Sequence, residues 1–341
     1  MLLRRLVAGL LALGLLACLA VPAVIAQDKD KAKEKKEEKK EDKGGGGDKV
    51  TLKWKFDKDK TFFQKMVTKT VQTMKVMNND VNQTQNQTFY FSFKPTKVEN
   101  DKVTIEQKII GVAMDIEIGG SKINYDSTKD TTANNPLGDF FKALVDSTFT
   151  IELDTKTLTV TKVEGRDAFI QKLVAANPQM KPLLEVILSN DALKEMAEPT
   201  FAVVPAKADA AKGEKWKRTT KLDMGPIGKY ENEYNYTLES ADKDAAKIKV
   251  DTVLNYKEPG DVAGQGGLPF KIKSAKLKSS NPVGEITFSP SKGRLEKSNT
   301  KLELKGELSI EIGGQATKVD LSQTQESTIE TSDQDPLPKK K

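Results

Sequence analysis

From Val50 onward, apolar and polar side chains exchange places at every second residue. Ile248, Val250, Thr252 and Leu254 alternate with lysine and aspartate, and Leu302, Leu304, Leu308, Ile310 and Ile312 continue the pattern. A period of two is the spacing of a strand with one wet and one dry face. Gly119-Gly120, Gly313-Gly314 and Pro290-Ser291-Lys292-Gly293 separate the runs. Connections this short join antiparallel neighbours, because parallel pairing needs a longer crossover. The expected fold is mainly β (α+β): an antiparallel curved sheet, or two β units.

One stretch departs from this pattern. Asn135 followed by Pro136 marks a helix start for Leu137 to Val145, and a longer helical block runs from Asp167 to Ala197. Within the block Phe169, Ile170, Leu173 and Val174 form one apolar stripe, Leu183, Leu184, Ile187 and Leu188 a second, and Leu193 with Met196 a third. Pro178, Pro182 and Pro199 divide it into two or three short helices. These short helices are expected to pack on an apolar face of the sheet. The expected boundaries are an N-terminal β unit at 50–165, the helical block at 166–200, a C-terminal β unit at 201–331 and a disordered tail at 332–341. Three near-matches link the two units: MDIEIGG with LSIEIGG, Lys53-Trp54-Lys55 with Lys215-Trp216-Lys217, and Gln83-Thr84-Gln85 with Gln323-Thr324-Gln325. Their offsets of 194, 162 and 240 do not establish a tandem duplication: shared strand vocabulary is one reading, and two related β units that diverged by insertion the other.

Residues 1–26 have the parts of a secretory signal peptide: basic Arg4 and Arg5, an apolar run, Pro22, and small Val24 and Ala26 before the cut. The chain is expected in the periplasm or cell envelope. Membrane association follows only if Cys18 is lipidated, with Leu15-Leu16-Ala17-Cys18 read as a lipobox, or if the signal stays uncleaved. Residues 27–49 then read as a disordered linker, densely charged, without aromatics, and carrying Gly44 to Gly47.

The formal charge of +6 sits outside the β region. Arg4 and Arg5 belong to the signal, Asp28 to Lys43 nets +1, Lys339 to Lys341 add +3, and the remainder is neutral. A neutral body has no basic stripe for phosphates, so no nucleic-acid partner is expected. Histidine is absent and Cys18 is the sole cysteine. The triads that need histidine and the cysteine metal sites are thereby excluded. No phosphate loop or calcium loop is present, and Asp57, Asp59 and Asp80 read as solvated turns. Carboxylate pairs that serve glycoside hydrolysis do occur: Asp115 with Glu117, Glu231 with Glu233, and Glu307 with Glu311. Their spacing puts each pair on one strand face, the ordinary place for solvated charge. No enzyme, cofactor or metal is expected, and a carboxylate-based hydrolase is the remote alternative.

Phe89, Phe91 and Phe93 point to one face of a strand, and Leu184, Ile187 and Leu188 to one helical stripe. Together they are the candidate apolar ligand face. Trp54 and Trp216 read as core anchors, and Gly225 to Gly228 and Gly264 to Pro269 as freely turning loops.

The segments LKWKF (Leu52 to Phe56), QTMKVM (Gln72 to Met77), MDIEIGG (Met114 to Gly120) and YDST (Tyr125 to Thr128) are joined by NPQMKPLLEVILSNDALKEM (Asn177 to Met196). WKRTTKLDMGPIGKY (Trp216 to Tyr230), LPFKI (Leu268 to Ile272) and LSIEIGG (Leu308 to Gly314) follow. In these the chain resembles an uncharacterised family of exported β-rich proteins from planctomycete-type bacteria. The resemblance implies a cell-envelope location and transfers no catalytic residue. Two functional expectations stand: a binder of an apolar or lipid-like ligand between sheet and helices, and a structural or protein-interaction component of the envelope with a filled core.

Overall fold

The computed structural model describes residues 49–76, 79–129, 136–260, 268, 270–280 and 283–337. The expected signal peptide with Cys18, nearly all of the charged linker, Asn135 and Gly264 to Gly267 lie outside the described residues. The alternation becomes long antiparallel strands: β2 (Phe62–Val76), β3 (Asn79–Glu99), β4 (Lys102–Ile118), β5 (Ser121–Asp126), β6 (Thr148–Asp154) and β7 (Thr159–Glu164). After the helices come β9 (Lys215–Asp223), β10 (Lys229–Ala241), β11 (Ala246–Lys257), β12 (Lys271–Ser280), β13 (Val283–Ser289), β14 (Arg294–Ile312) and β15 (Gln315–Ser332). A small separate pair joins β1 (Val50–Thr51) to β8 (Asp209–Ala210).

Among the described residues the large sheet runs in the order β7-β6-β4-β3-β2-β15-β14-β13-β11-β10-β9. Strand β5 pairs with the part of β4 that β6 leaves free, and β12 does the same along β14. Of the two architectures expected, the single curved sheet is the one formed. The units at 50–165 and 201–331 are its halves, since β2 and β15 pair from Val76 with Val319 to Phe63 with Ser332. The tail also differs from its expectation at its start. Asp333 takes the Arg294 guanidinium through bonds of 2.5 and 3.1 Å, and Leu337 lies against Gly111.

The helices fall where proline and the apolar stripes place them: α1 (Pro136–Leu144), α2 (Arg166–Ala176), α3 (Lys181–Ile187) and α4 (Asn190–Ala197). Single 3-10 turns at Pro178–Met180 and Glu198–Thr200 carry the proline breaks. Gly165 opens α2 at φ 99°, and a Cβ there would strike the Thr148 carbonyl oxygen, so the junction from β7 into α2 requires glycine. Arg166 donates to the carbonyls of Leu188 (2.6 Å) and Glu185 (2.9 Å), meeting acceptors that the end of α3 leaves open.

The sheet cannot be flat. Ten inter-strand gaps of about 4.8 Å would hold its edges β7 and β9 roughly 48 Å apart. Yet α4, eight residues and so about 12 Å long, packs against both edges. The sheet therefore curls into an open wall, with α4 filling the gap between its edges. Trp54 closes one end, donating its indole N–H to Phe201 O at 2.8 Å and meeting the Phe288 ring edge-on.

Candidate functional site

Inner-face residues of β3 and β4 meet all four helices around a cavity of about 240 Å³. All six residues of the expected apolar face line it. Phe89, Phe93, Leu184, Ile187 and Leu188 are buried, and Phe91 is half-buried. Along β3 the rings of Phe89 and Phe91 stack at 5.8 Å, and Phe93 stacks on Phe62 at 5.1 Å. Helix α4 adds Leu193, Met196 and Ala197. Not one lining residue is charged; the polar ones are Gln64, Gln87, Gln107, Asn177 and Thr200. A body placed here must be uncharged, because a buried charge without a partner costs several kcal/mol or more.

Sequence reasoning missed a polar band beside this cavity. Three rows cross β15, β2 and β3: Gln323, Gln72 and Gln83; Gln325, Thr70 and Gln85; Ser327, Thr68 and Gln87. All nine side chains are buried. They bond among themselves where geometry allows, as Thr68 with Ser327 at 3.0 Å and Gln83 with Gln85 at 3.3 Å. The band divides the Phe-rich core from a second apolar cluster around Met74, Ile118 and Ile310. Glutamine and threonine at alternate positions read as a wet face, and only the curl of the sheet dries it. The signal available beforehand was that Gln83, Gln85 and Gln87 share strand parity with Phe89.

The carboxylate pairs lie elsewhere. Glu117, Glu231, Glu233, Glu307 and Glu311 each meet a lysine within 2.6 to 3.6 Å across or along the outer face, and Asp115 is exposed. None of them reaches the cavity. Trp216 is a half-buried anchor stacked on Tyr236 at 5.5 Å.

Two other carboxylates hold the helical block to the sheet edges. Glu198 Oε2 accepts from the Val160 N–H of β7 at 3.1 Å, and Glu195 Oε2 from the Lys221 N–H of β9 at 3.0 Å. Burial raises the Glu198 pKa, with Glu195 adding to the effect while the Val160 N–H and Arg218 oppose it. Next to them, burial pushes the Tyr234 hydroxyl up to about 12.

The model of a family of unknown function, DUF6263, matches residues 100–293, more than half of the 341 residues. The chain belongs to that family. No curated protein matches this DUF6263 member in sequence. Among solved structures, lipovitellin, described for its lipid–protein interactions, is 12% identical over 84% of this chain and 27% of its own, with a TM-score of 0.41. OpdQ of Pseudomonas aeruginosa is 6% identical over 80% of this chain and 98% of its own, at 0.22. An outer membrane channel of Pseudomonas putida F1 is 7% identical over 86% of this chain and 100% of its own, at 0.23. The DUF6263 chain thus spans about a quarter of lipovitellin, and similarities this low carry no inference about activity. Its own outer face is informative. A transmembrane barrel needs an outward apolar band. Here the outward positions of β2 and β14 mix Phe63, Val67 and Val71 with Lys65, Lys69, Lys75, Lys297, Lys301 and Glu303, so no continuous apolar band runs along these two strands.

Proposed function

We propose that this protein is an exported, non-enzymatic envelope protein that holds a small apolar or lipid-like ligand between its sheet and its helices. The observation that carries the reading is the uncharged cavity of about 240 Å³. Protein interiors are close-packed, and an apolar recess of this size leaves its walls without the packing partners that a filled core would give them. A chain that keeps such a space gains if something fills it. Phenylalanine and methionine on the walls suit a flexible hydrocarbon, and Gln64, Gln87 and Gln107 offer carboxamides to an uncharged polar head. The export half of the reading rests on residues 1–26, and the resemblance to planctomycete-type proteins adds a bacterium with an outer membrane.

The test is native mass spectrometry and solvent extraction of protein purified from its own envelope, alongside titration with the neutral apolar fluorophore N-phenylnaphthylamine. A copurified neutral amphiphile is expected, as is probe binding that Leu184→Trp weakens by about tenfold through filling the cavity. Protein that yields no small molecule and no saturable probe signal would sink the reading. One observation favours the alternative of a structural component with a filled core: the cavity lies below the roughly 300 Å³ at which ligand pockets commonly begin.

A further inference from the structure

We infer that α4, with the turn Glu198–Thr200 behind it, is the door through which the cavity exchanges its contents, opening between the two edges of the sheet. This deepens the ligand reading and rests on it. Within the sheet part of the wall, neighbouring strands are joined by continuous hydrogen-bonded ladders, as between β14 and β15, which pair from Lys297 with Glu330 to Ile312 with Gln315. Across the gap from β7 to β9 the hydrogen bonds among the described residues are different in kind. The Val160 N–H reaches Glu198, and the Lys221 N–H reaches Glu195. Two side chains three residues apart thus hold the two edges, and single carboxylate bonds part more readily than a ladder.

The same element forms cavity wall. Leu193, Met196 and Ala197 face inward, while Asp191 and Lys194 pair at 3.2 Å near the helix start. Moving α4 outward therefore removes part of the cavity wall and widens access to it. The helix is also cut free at its start. Ser189 is extended at ψ 158° and caps α4 by accepting from the Ala192 N–H at 3.2 Å, so α4 is a separate rigid unit and not a continuation of α3. Behind it, Pro199 breaks the chain again.

Strand β9, against which α4 packs, and its neighbours carry buried polar groups. Trp216 Nε1, Arg218 Nη2, Asn232 Oδ1 and Thr252 Oγ1 are buried without a hydrogen-bond partner, on the adjacent inner faces of β9, β10 and β11.

The experiment crosslinks the door in the full chain carrying Cys18→Ser, using Glu195→Cys with Lys221→Cys and a short reducible bifunctional thiol reagent. N-phenylnaphthylamine is the probe, and its binding and release are followed by stopped-flow fluorescence. Both rates are expected to fall by about tenfold on crosslinking and to recover on reduction. Unchanged rates in the crosslinked protein overturn the door. If the unlinked protein takes no probe, the ligand reading has failed, and the door is judged on hydrogen exchange of the unmodified chain. There the Val160 and Lys221 amides are expected to exchange together and faster than those of β14 and β15; protection equal to β14 and β15 overturns it.

Discussion

Glu198 shows how one side chain can be useful and costly at once. Its charged form accepts the edge hydrogen bond from Val160, yet burial and the neighbouring Glu195 favour its neutral form, with Arg218 the one opposing cation. A carboxyl whose pKa is raised by folding binds its proton more tightly in the folded state. Stability from this group therefore grows as pH falls through the raised value and is complete below the ordinary carboxylate range; near neutral pH the ionised group is a liability. Glu198→Gln keeps an oxygen for Val160 and removes the charge. It is expected to raise the urea midpoint at neutral pH and to leave it nearly unchanged in acid, where the native carboxyl is already protonated. A loss of stability at neutral pH would show that the charge-assisted bond outweighs the burial.

At the scale of elements, the two sheet columns shared by two strands depend on close approach. Strand β12 comes so near β14 at Gly306 that a Cβ there would strike the Lys276 backbone oxygen. Gly306→Ala is expected to destabilise the protein by more than about 1 kcal/mol, because backbone and not a flexible side chain must yield. Its local signature is faster hydrogen exchange across β12, from Lys271 to Ser280, with β2 and β3 unaffected. Helix boundaries behave more simply. Pro178, Pro182 and Pro199 and the apolar stripes were readable along the chain because backbone chemistry acts locally, and α2, α3 and α4 stop and start at those positions.

For the whole molecule the decisive contact is the pairing of β2 with β15, which joins Phe63 to Ser332 and makes two sheet halves one. Deleting residues 315–332 would leave β2 and β14 as long bare edges, and such edges recruit other chains. The truncated protein is expected to be aggregated on size-exclusion chromatography, where the intact chain elutes as a discrete species; a soluble, folded truncation would show that the N-terminal half stands alone. Pairings this distant also set the pace of folding, since closing so long a loop is entropically expensive before contacts reward it.

Local choices are written along the chain: strands wherever the period is two, turns at paired glycines, short helices between prolines, and which residues are apolar. The sequence also brought Phe89, Phe91 and Phe93 to one face, because strand parity is a property of neighbouring residues. Tertiary structure alone decided that Gln72, Gln83 and Gln323 share a dry row, that Leu184, Ile187 and Leu188 come to the same cavity as the phenylalanines, and that α4 sits between two edges. Which face of a strand goes dry depends on the distant strand that curls over it. That partner is selected by burial summed over the whole sheet, and no stretch of a dozen residues carries that sum.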